Sequence, residues 1–273
     1  MTTTPPAPTL VAHTDADPCP RVEITVTPMP VDADTVTVWR SWAGRRTHVR
    51  DAVDATVSGD YFVVDYEAPL GVPVTYTCET KDAADVPSEL SAGTSATLDV
   101  PNVWMQDPLN PTGAIEVLTS SGRTGIRAIA DSFAPLTYET PSEIVTIIGS
   151  DEPIAVGNVR QAPSQIPLKI QAWSDADAAA VRDTFRSAFP LCVRTPTKIP
   201  LHYGLAYLAF DFTETPYPGW NGYVFSGTAR AVRGPGRSVV VQPRTYDHLL
   251  DESATYAGLL PLYPTYLDVR RGL

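Results

Sequence analysis

The chain has 273 residues, 43% of them hydrophobic and 19% charged, enough for two domains with real cores. Its net charge of −11 argues against nucleic acid, because phosphate neutralisation supplies most of that affinity. No apolar stretch approaches the length of a membrane span.

The opening "MTTTPPAPTLVAH" has neither the basic nor the apolar region of a secretion signal. The expected place is therefore the cytosol where the chain is made, or a particle assembled there. The 27 prolines and 17 glycines point to many turns and short strands. Arginine supplies nearly all the positive charge, lysine appearing only at Lys81, Lys169 and Lys198. Cys19, Cys78 and Cys192 show no CxxC spacing, which gives metal binding little support. Buried free thiols are expected, with a Cys19–Cys78 disulfide conceivable in an adjoining-strand arrangement.

Residues 1–100 read as an all-β module. "RVEITVTP", "TVTVWRS", "YFVVDYE" and "VTYTCET" alternate, and proline, glycine and aspartate clusters separate them, as in a β-sandwich. The stretch from Ala68 to Leu98 sets a turn, a strand carrying Tyr76, a polar turn and a Ser/Thr-rich last strand in order. This region resembles a fibronectin type III domain. The resemblance implies that Tyr76 stands near the start of the penultimate strand and that Trp39 is a core aromatic on the third.

"LDVPNVWMQDPLNPTG" packs three prolines around Trp104. Proline biases the preceding residue toward extended backbone, so residues 101–113 are expected to form a stiff connector anchored by Trp104. Residues 114–244 return to short strands, interrupted by one helix expected over 175–189. Ser174 is an apt N-cap with Asp177 three residues on, and Ala178, Val181, Phe185 and Ala188 recur at helical spacing.

The order of elements from "EIVTIIG" through the helix to "PLCVRTP" and "GLAYLAFDFTE" is similar to a region of tailed-bacteriophage minor tail proteins. The "VWMQDPLNP" linker after a fibronectin-like module and the C-terminal Thr-Tyr units also resemble minor tail proteins of phages infecting actinobacteria. The fold this implies is a fibronectin III-like β-sandwich, then a distal-tail-protein-like β-barrel domain with one docked helix, then short C-terminal helices. The function implied is structural: a tail-tip component of the virion, assembled in the host cytoplasm. It would form a homo-oligomeric ring around the tail axis, six-fold or three-fold, against other tail proteins. A contribution to host attachment would follow.

The residues themselves carry no easily read catalytic signature. The four histidines, His13, His48, His202 and His248, are scattered, with no H-E-x-x-H, G-x-S-x-G or P-loop. A non-enzyme without cofactor or metal is expected, a tail-associated cell-wall hydrolase being the remote alternative. Three Asp-Ala-Asp pairs lack the glycine and distal glutamate of a calcium loop.

Two segments suggest binding. "WRSWAGRRTHVRD" sets Trp42 beside Arg45 and Arg46 in an acidic protein, a composition typical of contact surfaces. The aromatic "FTETPYPGWNGYVFSG" presents Tyr217 and Trp220, either as a self-packed loop or as a contact to a neighbouring subunit. These residues are candidate contacts for a partner or a host cell-surface glycan, so a receptor- or carbohydrate-binding module is the alternative function.

Residues 245–273 carry Thr-Tyr at 245, 255 and 265. Tyr246 with Leu249 and Leu250, then Tyr256 with Leu259 and Leu260, share one helical face each, and Tyr266 begins a degenerate third copy. A ten-residue period would rotate the stripe by roughly 80° per unit on one straight helix, and Pro261 and Pro264 interrupt it. Separate short helices are expected. Being unstable alone, they must dock, either on their own barrel or, the favoured reading, on a neighbouring subunit.

Overall fold

The alternating segments of the N-terminal third form eight strands. These are β1 (Thr9–His13), β2 (Arg21–Val26), β3 (Thr35–Trp42), β4 (Arg45–His48), β5 (Ala55–Thr56), β6 (Tyr61–Asp65), β7 (Pro73–Lys81) and β8 (Thr94–Thr97). Of these, β2, β3 and β7 send alternate side chains into one core. The computed structural model describes residues 2–140, 142–145, 152, 154–157, 161–197, 199, 201, 204–217 and 222–236. One antiparallel sheet runs β1-β2-β6 and the other β4-β3-β7-β8, with β5 beside β3. Val22, Ile24 and Val26 from the first sheet meet Val36, Val38, Val74, Tyr76 and Cys78 from the second in one buried cluster. All three cysteines are free thiols, and all are buried.

Strand β3 reverses one sequence expectation. Val36, Val38, Arg40 and Trp42 face inward, so Trp42 is buried at 4% exposure while Trp39 stands half-buried on the outer face. The two-residue alternation of a strand allows no other outcome once Val36 and Val38 are inside. Trp42 is therefore a core residue rather than a surface contact, and Trp39 takes the outer position. The β3–β4 hairpin turns through Ala43 and Gly44 at φ 45° and 74°. Two consecutive left-handed residues match the strand twist, and glycine adopts this conformation without strain.

The rest of the described chain adds β9 (Val103–Asp107), β10 (Asn110–Val117), β11 (Ile126–Ala128), β12 (Ser142–Val145), β13 (Ile154–Gly157), β14 (Ile166–Ala172), β15 (Leu191–Arg194), β16 (Leu205–Pro216) and β17 (Tyr223–Val232). Strands β12 and β13 form a separate ribbon. The others make a seven-stranded antiparallel sheet in the order β10-β9-β15-β16-β17-β14-β11. Its two ends meet where Leu118 exchanges backbone hydrogen bonds with Ile126 and Ala128, nearly closing a barrel.

Residues 103–107 are thus a strand inside the barrel sheet, paired with β10 and β15, where the sequence suggested a connector. Pro101, Pro108 and Pro111 lie outside β9, so they delimit the strand without interrupting its ladder.

Helix α1 (Asp175–Ser187) packs Ala178, Val181 and Phe185 into the barrel core. Phe185 meets Phe210, Phe212 and Phe225 edge-on at 5.0, 5.4 and 6.1 Å. The helix begins as its sequence requires: the Asp177 amide donates to the Ser174 hydroxyl at 3.0 Å, and that hydroxyl donates to the Asp177 carboxylate. It stops at Ser187, ahead of Pro190, which ends the run of backbone donors. Ser174→Ala is expected to cost about 1 kcal/mol, read as a lowered urea midpoint with unchanged slope. No described helix is long and apolar enough to cross a membrane. The Thr-Tyr units and the strand expected at "RSVVVQP" lie outside the described residues.

The sandwich and the barrel share a seam. Strands β9, β15 and β16 send Val103, Met105, Leu191, Val193, Ala206 and Leu208 into the barrel core. Their alternate residues Trp104, Cys192, Leu205 and Tyr207 join the sandwich core instead. Cross-strand register lines these up as two rows, Gln106–Cys192–Tyr207 and Trp104–Arg194–Leu205.

Two polar side chains, Arg194 and Gln106, bond across the seam. Arg194, with no exposed surface, donates to the Pro20 carbonyl at 2.6 Å, the Ala68 carbonyl at 3.4 Å and the Gln106 side-chain oxygen at 2.9 Å. The Gln106 amide in turn donates to the Tyr66 carbonyl at 3.0 Å. Burial and the Glu67 carboxylate push the Cys192 thiol far up, so this cysteine stays protonated and inert.

Candidate binding cleft

Where the β3–β4 hairpin approaches the end of β17, the described residues enclose a cleft of about 790 Å³. Ligand pockets commonly span roughly 300–1,000 Å³. Its walls come from distant parts of the chain: residues 39–55 of the sandwich on one side, residues 205–207 and 232–236 of the barrel on the other.

Arg40, Arg45, Arg46, Arg50 and Arg233 line this cleft, against the carboxylates of Asp51 and Glu67. An overall acidic chain therefore gathers a quarter of its 20 basic residues around one depression. Two of the arginines are committed to structure. Arg40 is 2% exposed and donates to Asp65 at 2.6 Å and to the Thr47 hydroxyl at 3.0 Å. Arg50 donates to Glu67 at 2.7 Å and to the Pro235 carbonyl at 2.7 Å, tying the sandwich to the segment after β17.

Glu67 stands between the two guanidiniums, 3.5 Å from Arg40. Asp65 also accepts from the Tyr76 hydroxyl at 3.0 Å and from the Glu67 amide at 2.9 Å. Burial alone would weaken the charge on Arg40, but Asp65, Tyr207 and Glu67 outweigh it and hold the guanidinium firmly protonated.

The rim is different. Arg46 lies exposed with its guanidinium 4.0 Å from the Trp39 ring centre, a cation–π contact that leaves its N–H edges open. On Trp39 the His48 ring also packs, its centroid 3.8 Å away. Arg233 is exposed. Neither Arg46 nor Arg233 has a carboxylate partner among the described residues. Between these charges the cleft is apolar: Val53 and Val232 line it at 50% and 38% exposure.

Desolvation, with the Arg46 charge as a second cause, lowers the pKa of His48 below the ordinary 6.5. His48 is therefore expected to stay neutral at pH 7, its imidazole nitrogen shifts titrating with a midpoint below 6.5 by NMR. A midpoint at or above that value would contradict the arrangement.

Of the residues singled out in the sequence, Arg45, Arg46 and Trp42 line this cleft, Trp42 as part of its buried wall. Tyr217 does not. It sits 46% exposed at the far end of the long β16–β17 hairpin, where its amide donates to the Gly222 carbonyl at 2.9 Å. Ten paired residues separate it from Val232, about 30 Å of strand. Much of the aromatic 212–227 stretch is paired strand, leaving only residues 217–222 between Pro216 and Tyr223. Trp220 lies outside the described residues, as do Tyr246, Leu249, Leu250, Tyr256, Leu259, Leu260 and Tyr266.

The residues that sequence reasoning missed are Trp39, Tyr207, Arg233 and the Gly234–Gly236 run. Gly234 is the one with a local signature. A side chain there would meet the Tyr207 ring at 2.6 Å, so only glycine lets the backbone lie on that ring.

The first two Asp-Ala-Asp pairs are used locally: Asp15 accepts from Arg21 and from the Asp17 amide, and Asp32 from the Thr3 amide. Among the described residues no three His, Cys, Asp or Glu side chains gather as metal ligands would. Comparison with protein-family models, with curated proteins and with solved structures found no match to the chain.

Proposed function

We propose that this protein is a structural component of a bacteriophage tail tip, a minor or distal tail protein that assembles in copies around the tail axis and contributes to host attachment. The observation that carries the reading is the seam. A β-sandwich and a β-barrel share alternate residues of three adjacent strands, so the chain forms a stiff two-part element with no free linker between its parts. A scaffold that must hold position in a particle gains from that stiffness. Within the cleft Glu67 is held by Arg40 and Arg50, so this carboxylate serves the fold.

Further support comes from the sandwich. Three- and five-stranded antiparallel sheets over one core suit a fibronectin III-like module. Tyr76 occupies an early position on β7, the penultimate strand of that unit, with its hydroxyl bonded to Asp65. The barrel with one docked helix suits the distal-tail-like part of the same reading. In this arrangement the barrel builds the ring and the sandwich faces outward from it.

The reading is tested by native mass spectrometry of the purified chain and by gold labelling of particles that carry it. Label at the tail tip, together with a closed oligomer of six or three copies, is the expected outcome. A strictly monomeric chain absent from purified tails would reject it.

A receptor- or carbohydrate-binding module is the second reading, favoured by the size of the arginine-lined cleft. Against a sugar-stacking platform stands Trp39, which already carries Arg46 and His48.

A further inference from the structure

We infer that the cleft is the docking site for the first Thr-Tyr unit of the same chain, residues 245–252. The lining of the cleft and the composition of the segment point to this pairing whether or not the protein belongs to a tail.

The cleft asks for a ligand with two properties. Its rim offers the exposed guanidiniums of Arg46 and Arg233 without carboxylate partners among the described residues. Between them it leaves Val53 and Val232 open to water, so an occupant that also buries apolar side chains gains from the hydrophobic effect. A small anion would satisfy only the first property, and a plain apolar helix only the second.

The segment "TYDHLLDE" has both. Tyr246, Leu249 and Leu250 supply bulky apolar anchors, and Asp247, Asp251 and Glu252 supply three carboxylates among them. The unit contains no lysine or arginine. The second unit, "TYAGLLPL", carries no charge at all, and the third has only Asp268 before two arginines. Charge complementarity therefore selects the first unit over its repeats. Guanidinium–carboxylate pairs at such a rim add register as well as attraction.

Connectivity selects the same chain. Pro235 and Gly236 line the cleft, and Gly236 is the last described residue before the unit. Nine residue-to-residue steps carry the chain from Gly236 to Thr245, a reach of about 30 Å when extended. The unit is thus held near the cleft at an effective concentration of order millimolar, where weak contacts suffice. This favours the chain's own cleft over the neighbouring subunit that the sequence alone suggested.

The test uses the full chain with a photo-reactive benzoylphenylalanine at position 250. It is made in light and heavy isotope forms and analysed by mass spectrometry after irradiation of a mixture. Cross-links from the same chain to peptides covering residues 45–53 or 232–236 are expected. Reversing the tail charges (Asp251→Arg with Glu252→Arg) should lower that yield at least fivefold, as should Arg46→Glu with Arg233→Glu. Combining both sets should restore the yield to within twofold.

The tail-side reversal leaves both β units untouched, so it remains informative if the cleft variant does not fold. Cross-links to another face, or a yield that ignores charge reversal, would overturn the proposal. Light-to-heavy links into the cleft would overturn it too, assigning the cleft to the tail of a second copy.

Discussion

Replacing Asp65 by asparagine will cost about 3–5 kcal/mol of folding stability, the usual result of removing one partner from a buried ion pair. Arg40 is 2% exposed and Asp65 1%, so water cannot take over the lost partner's role. Glu67 does not replace it. It lies 3.5 Å from Arg40, and Arg50 already holds its other oxygen at 2.7 Å. Asparagine keeps the shape of the carboxylate and one acceptor for the Tyr76 hydroxyl, which isolates the loss of charge from the loss of packing.

Urea unfolding monitored by tryptophan fluorescence reads the effect. Removing the charges together, as Arg40→Met with Asp65→Leu, should cost much less than the single change, because no buried charge is then left without its partner. A single-variant cost below about 1 kcal/mol would mean that the network is solvated in solution and that the cleft's inner wall is not a buried ion-pair network.

The second large effect belongs to Arg194. Its side chain donates to the Pro20 and Ala68 carbonyls of the sandwich and to the Gln106 oxygen on β9. Arg194→Met keeps most of the volume and removes those donors. The orphaned acceptors predict a loss of about 2–4 kcal/mol. The manner of unfolding should also change. With the seam intact, sandwich and barrel should unfold in one transition. With Arg194 gone, the fluorescence of Trp104 at the seam should shift at lower urea than the barrel's far-ultraviolet signal. Coincident transitions in the variant would show that apolar contacts alone couple the halves.

Much of the architecture was legible from local pattern. The alternation of "RVEITV" and "VTYTCET" and the cap and stripe of "SDADAAAVRDTFRSAF" point directly to strands and a helix, and the structure has them there. Two misreadings have physical causes. Arg40 faces inward, and a charged residue read as outward shifts the parity of the whole strand, exchanging the places of Trp39 and Trp42. Strand β9 has both faces buried, so "VWMQD" shows no alternation, and its flanking prolines resemble a connector.

The cleft was half legible. Arg45 and Arg46 stand out in an acidic chain, but their company does not. Tyr207, Arg233 and Pro235 arrive from more than 150 residues away, placed by the pairing of β16 with β17 and by the Arg50–Pro235 bond. Nothing in the local pattern near Arg233 announces that it lines a cleft with residues of the sandwich.

The shared seam also decides what can be done with the pieces. Three strands of the barrel use their outward side chains as part of the sandwich's interior, so neither half has a finished surface of its own. Cut after residue 100, the barrel would display Trp104, Leu205 and Tyr207 to water, and the sandwich would lose the lid over Leu70 and Leu98. Excised halves should aggregate where the intact chain does not, and grafting either one onto another carrier would require a new outer skin. The chain is a single indivisible part, even though its two sheet systems look like a pair of modules.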